Sequence, residues 1–290
     1  MEAVHVAVGG AVAGAVALIL GIAALLVGWR FDSDIQRVSA RAAHIRRRRA
    51  LGHQMRSRAA GPDQKRGGAR ASANAPRDRS PLKFFLLVFA LSIPFWLIGG
   101  MTDLQLMPGL SVSALMAFCP MVAALILVHR ERRTAGVAEL LRRSFDFKCI
   151  RDKRWYAPIL LLMPVVNVVV FGLMRWMDMP LPAPRFSGLS ALLMFLAFFV
   201  GALGEELGWS GYVLDPLQDR WNALQTGVLL GLVGVLWHLA PLLLMHRSPT
   251  WIAWWFLYSV AARILIVWLY NNTGKSAFAV ALFHATLNLT

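Results

Sequence analysis

The chain is short of cysteine and of acid. It has only two cysteines, Cys119 in an apolar run and Cys149 in a basic stretch, and neither sits in a CxxC or other metal-ligating spacing. Neither a disulfide framework nor a cysteine-ligated zinc is expected. No HExxH and no GxSxG occurs, so the zinc-helix and nucleophile-elbow routes to hydrolysis lack their carriers. Charged residues make up 16% of the chain against 58% hydrophobic ones, which excludes water as the main solvent. No repeat of fixed period is evident.

Long apolar runs are what the sequence does have. They recur at 6–27, 82–101, 112–128, 155–177, 189–207, 224–245, 251–270 and 276–290, most of them near or above the ~18 residues that suggest a bilayer-crossing helix. A backbone in lipid must satisfy its own hydrogen bonds, so these runs are read as helices. The predicted fold is all-α: a polytopic transmembrane bundle of about eight spans. The last run is short, covering only ~22 Å at 1.5 Å per residue. The first run has no basic residue before it and is followed by Arg30, so it reads as a retained anchor with its N-terminus outside. Trp155, Tyr156, Trp251, Trp254, Trp255 and Tyr270 lie at run ends and read as interfacial anchors.

The net charge of +15 is held by two segments. Residues 30–80 carry fourteen Lys/Arg against four Asp, and residues 130–154 carry nine against four acids. Both adjoin helix ends, which places them on the cytoplasmic side of a cell membrane. The basic linker is expected to lie along anionic lipid, so nucleic acid is not the expected partner. Three parts follow: an anchor at 1–29, a mostly disordered linker at 30–80 broken by Gly61-Pro62 and Gly67-Gly68, and a membrane domain at 81–290.

Seven acids remain outside the basic segments, and two of them, Glu205 and Glu206, are adjacent at the end of an apolar run. A carboxylate at membrane depth costs ~2.5 to 3.5 kcal/mol on insertion scales, which marks such residues as functional candidates. The bland alternative is that both emerge into the interface. His238 lies inside one apolar run, and His284 and Asn288 share a helix face in the last at i, i+4. For each histidine alone, a packing role competes with a chemical one. Arg263 is the one basic residue well inside a run; it either finds a carboxylate or snorkels along its own helix. A glutamate with two histidines and an amide suits activation of water, with hydrogen-bond donors left for an oxyanion. Zinc is the rival use of these residue types.

These residues resemble the CAAX-protease and bacteriocin-processing (CPBP, Abi) family. The resemblance rests on GEELGWSGY at 204–212, WHLAP at 237–241 and FHATLN at 283–288, with WLYNNTGKS at 268–276 before the last. It covers roughly residues 80 to 290, leaving the first helix and linker as an addition. The resemblance implies an intramembrane endopeptidase acting on a peptide or membrane-tethered protein that arrives laterally or from the cytoplasmic face. In it, Glu205 activates water with His238, His284 and Asn288 form the oxyanion site, and Glu206 supports them. No cofactor is expected to be required; a divalent metal such as zinc, if used, would fall to Glu205, His238 and His284. Two positions depart from the family pattern, Ser210 standing where EExxxR has arginine and Gly234 where FxxxH has an aromatic. Arg263 is expected to face the acidic pair and partly replace the lost cation. A catalytically silent scaffold or immunity factor, and a transporter using the same polar groups as a proton relay, remain the other readings.

Overall fold

The computed structural model describes residues 79–102, 104–107, 110–179 and 187–289. The expected first span and nearly all of the basic linker lie outside the described residues. Six helices there are long and apolar enough to cross a membrane, and a seventh is shorter. The α-helices are α1 (Pro81–Met101), α2 (Cys119–Arg142), α3 (Tyr156–Trp176), α4 (Gly188–Gly208), the five-residue α5 (Leu214–Gln218), which belongs to the same span as α4, α6 (Ala223–Leu244), α7 (Pro249–Asn272) and α8 (Ala277–Leu289). The bundle is all-α apart from an antiparallel ribbon in the first loop, β1 (Gln105–Met107) on β2 (Leu110–Ser111).

Local chemistry sets several helix starts. Pro81 and Pro249 open α1 and α7, where a missing N–H costs nothing. The Ser248 side chain accepts from the Trp251 amide, and Asn222 with Gln225 forms a reciprocal capping box on α6. Two sequence expectations need correction. Residues 130–142 are helical, because α2 continues past a break at Arg133 (φ 57°) to Arg142. The run ending at Leu207 does not stop there either: α4 passes through a π-helical turn (Trp209–Val213) directly into α5. Glu205 and Glu206 thus lie mid-way along a helical segment of 31 residues and not at its interfacial end.

Lipid tails give little hydrophobic drive for helix pairing, so close van der Waals packing must hold the bundle. The tightest approaches occur at glycine. A Cβ on Gly208 would stand 2.5 Å from the Pro120 backbone of α2, and one on Gly231 of α6 would stand 2.8 Å from the Val260 Cα of α7. An aromatic column crosses the core from α1: Phe84 meets Trp209 (5.3 Å), Trp209 meets Trp237 (5.7 Å), and Trp237 meets His238 (4.6 Å). Trp237 Nε1 also donates to Ser92 Oγ at 2.7 Å, pinning the middle of α6 to α1. Tyr270, expected at the lipid interface, is fully buried, and Trp155 packs on Trp268 (5.0 Å).

Candidate active site

The two adjacent glutamates project into different surroundings. Glu206 is fully buried. Arg263 of α7 donates Nη1 to both its oxygens (2.9 and 3.0 Å), His284 of α8 donates Nδ1 to Oε1 (2.9 Å), and the Ser210 hydroxyl donates to Oε2. The Arg263 side chain is 11% exposed, so its guanidinium turns inward and does not follow its helix to the interface. Three side chains from three elements therefore converge on one carboxylate. Removing charges from water is unfavourable unless each is paired and hydrogen-bonded, and here each is.

Glu205, also buried, makes no hydrogen bond or ion pair among the described residues. It lines a cavity of about 950 Å³ together with His238 and Asn288. His238 donates Nδ1 to the Gly234 carbonyl at 2.9 Å, which fixes the ring and leaves Nε2 unengaged. Trp255, expected to be a lipid anchor, instead packs on the His238 ring at 5.3 Å. His284 stands behind the cavity wall with Glu206 and Arg263. The structure thus gathers Glu205, His238 and Asn288 at the cavity and Glu206, Ser210, Arg263 and His284 in an adjoining buried cluster.

The cavity runs from Glu205 toward the ribbon, where Thr102, Leu106 and Leu110 line it, and toward Met245 at the end of α6. That end of the bundle is opposite the basic 130–154 segment. Leu196, Val200 and Leu244 line the cavity and are also exposed. Around Gly234 nothing lies within 4 Å of where a Cβ would stand, so the space that an aromatic side chain would fill is open. Among the described residues no group of three or more His, Cys, Asp or Glu side chains is placed to hold a metal ion.

A second polar layer, which sequence reasoning missed, lies under the site. Arg143 donates to the Gly211 carbonyl (2.7 Å), the Tyr270 hydroxyl (2.8 Å) and the Lys275 carbonyl (2.7 Å). Tyr212 donates to Glu131 (2.6 Å), Lys275 pairs with Asp215 (2.8 Å), and Gln218 exchanges hydrogen bonds with Asn271. In sequence only Glu131 and Arg143 belong to a basic segment, and no local spacing links them to Tyr212, Asp215, Gln218, Tyr270, Asn271 or Lys275.

Residues 186–290, the part that carries both glutamates, both histidines and Arg263, match the model for the Rce1-like family, described as type II CAAX prenyl endopeptidase Rce1-like. The chain is also 26% identical over 235 residues to a CAAX prenyl protease 2 of Methanococcus maripaludis, a likeness covering 72% of this chain and 83% of that protein. In its polytopic helical bundle and in these two likenesses, the chain is a multi-pass membrane protein similar to proteases of the CAAX type.

Proposed function

We propose that the protein hydrolyses a peptide bond by attack of a water molecule for which Glu205 is the general base and His238 its partner. The observation that carries this reading is the division between the two carboxylates. Glu206 already accepts from Arg263, His284 and Ser210. Glu205 has its lone pairs unengaged by any described residue and faces the cavity. Water held between the Glu205 carboxylate and His238 Nε2 gives up a proton to Glu205 as its oxygen adds to the carbonyl carbon. The C–N bond then breaks, and the same proton passes to the leaving amine. The carbonyl oxygen, negative in the intermediate, is met by the Asn288 amide. His284, held by Glu206 through Nδ1 just behind the cavity wall, offers an Nε2–H for the same role in its imidazolium form. One such donor is worth about 2.7 to 4 kcal/mol of barrier.

The apolar walls fit a substrate that is itself apolar or membrane-tethered, and the name of the methanococcal relative suggests a prenylated C-terminal peptide. The exposure of the lining residues Leu196 and Val200, in mid-α4, supports lateral arrival. Access from the basic side, the other expected route, has less support, because the cavity extends toward the opposite end.

The test is cleavage of a farnesylated peptide, and of the same peptide unmodified, by purified wild type, Glu205→Gln and Asn288→Ala proteins. Glu205→Gln should lower kcat about 10²- to 10⁴-fold with little change in KM, the range typical of a lost general base. Equal cleavage by wild type and Glu205→Gln would remove Glu205 as the base. No cleavage by any of them would favour the silent scaffold.

A further inference from the structure

The helix that carries His284 and Asn288 is short, and the group that anchors its start comes from 130 residues earlier in the chain. Asp146, in the turn between α2 and α3, accepts from the Ser276 hydroxyl (2.6 Å), the Ala277 amide (3.1 Å) and the Phe278 amide (3.0 Å). Ser276 in turn accepts from the Ala279 amide at 3.0 Å. Three of the four amides that a helix start leaves without internal partners are thus satisfied, two of them by one carboxylate. Its negative charge also sits at the positive end of the helix dipole.

Arg143 stands beside Asp146, Nε to Oδ2 at 3.9 Å, and fixes the neighbouring elements. It holds the π turn after Glu206 through Gly211, the end of α7 through Tyr270, and the turn before α8 through Lys275. That last turn is conformationally demanding, with Gly274 (φ 70°) and Lys275 (φ 63°) both in the left-handed region. A Cβ on Gly274 would stand 2.6 Å from the Cys149 carbonyl oxygen of the same α2–α3 segment.

We infer that Asp146 is a positioning residue for peptide-bond hydrolysis: by capping α8 from outside its own stretch of chain, it sets the height and tilt of His284 against Glu206 and of Asn288 against the cavity. The inference rests on the functional reading of His284 and Asn288 given above. His284 lies two turns from Ala277, about 10 Å along the axis. A tilt of about 5° at the first turn moves it by about 1 Å, a misplacement that can cost about 10²-fold in rate.

The experiment compares wild type, Asp146→Ala, Asp146→Asn and Ser276→Ala in detergent, with three readouts. These are kcat and KM on a farnesylated peptide, amide exchange in the first turn of α8, and the ¹⁵N signal of the His284 Nδ1–H. Asp146→Ala should lower kcat at least tenfold with KM within about twofold, release the Ala277 and Phe278 amides, and shift the His284 signal. Asp146→Asn, which keeps one accepting oxygen, should restore an intermediate kcat. An unchanged His284 signal in Asp146→Ala overturns the inference, and so does a kcat within twofold of wild type in an active enzyme. If wild type cleaves nothing while the His284 signal still shifts, the positioning stands and the hydrolytic reading fails. If Asp146→Ala does not fold, Asp146→Asn and Ser276→Ala decide by the same signal.

Discussion

Replacing Arg263 by alanine breaks the ion pair at the buried Glu206 carboxylate. The guanidinium lies 2.9 and 3.0 Å from the two oxygens of a carboxylate with no solvent exposure, and is itself 11% exposed. Coulomb attraction at this distance is about 5 kcal/mol for an effective dielectric constant near 20. Breaking a buried pair by removing one partner costs about 3 to 5 kcal/mol, because the other charge is left uncompensated. Ser210 and His284 still donate to Glu206, so the lower end, about 3 kcal/mol, is expected. Part of that loss should reach the site through His284, whose Nδ1 partner is the same carboxylate.

The assay is a double-mutant cycle of Arg263→Ala and Glu206→Gln, read by unfolding in a denaturing detergent series and by kcat on a farnesylated peptide. A coupling energy of about 3 kcal/mol is expected. Adding Ser210→Arg to Arg263→Ala should restore part of both readouts, since residue 210 already reaches Glu206 from one helical turn away. Coupling below about 0.5 kcal/mol, or no rescue in a well-inserted double variant, would refute the reasoning.

Three other predictions follow from packing and topology. Gly208→Ala should destabilise by about 1 to 3 kcal/mol, because its Cβ collides with the Pro120 backbone, whereas Gly234→Ala should change stability by less than about 0.5 kcal/mol; thermal unfolding of both decides. A chain beginning at residue 79 should keep full activity, while one beginning at residue 81 should unfold more readily, because Arg79 donates to the Tyr212 carbonyl (3.2 Å) and pairs with Glu131 (3.7 Å). If the basic segments face the cytoplasm, an impermeant maleimide should label neither the exposed Cys149 nor an introduced Ser57→Cys in intact cells, and should label both after lysis.

The spans were legible because lipid leaves a chain so few options. Predicted runs at 82–101, 155–177, 224–245 and 251–270 fall within about two residues of helices, three of which open at Pro81, Asn222 and Ser248. The continuation beyond Leu207 was hidden by Gly208, Ser210 and Gly211, which read as breakers in isolation but form a π turn under tertiary packing. Arg263 could be found as a lone cation at depth, since its cost demands a partner. Asp146 and Arg143 could not: in sequence they are ordinary charges in a basic loop, and their meaning depends on an approach of α8 that no spacing encodes. Trp255 was equally opaque, because an aromatic near a helix start looks the same whether it meets lipid or His238.

The π turn at Trp209–Val213 also sets the register of everything after it. One residue of surplus is absorbed there, so that Glu206 points into the bundle while Tyr212 meets Glu131 and Asp215 meets Lys275 on neighbouring elements. Deleting that residue would convert the stretch to ordinary helix and turn α5 by about 100°, the angle of one residue. Tyr212, Asp215 and Gln218 would swing off their partners together, while Glu206, upstream of the change, would keep Arg263 and His284. A change in chain length within the turn thus rotates the whole floor beneath the site, where a substitution alters one contact at a time.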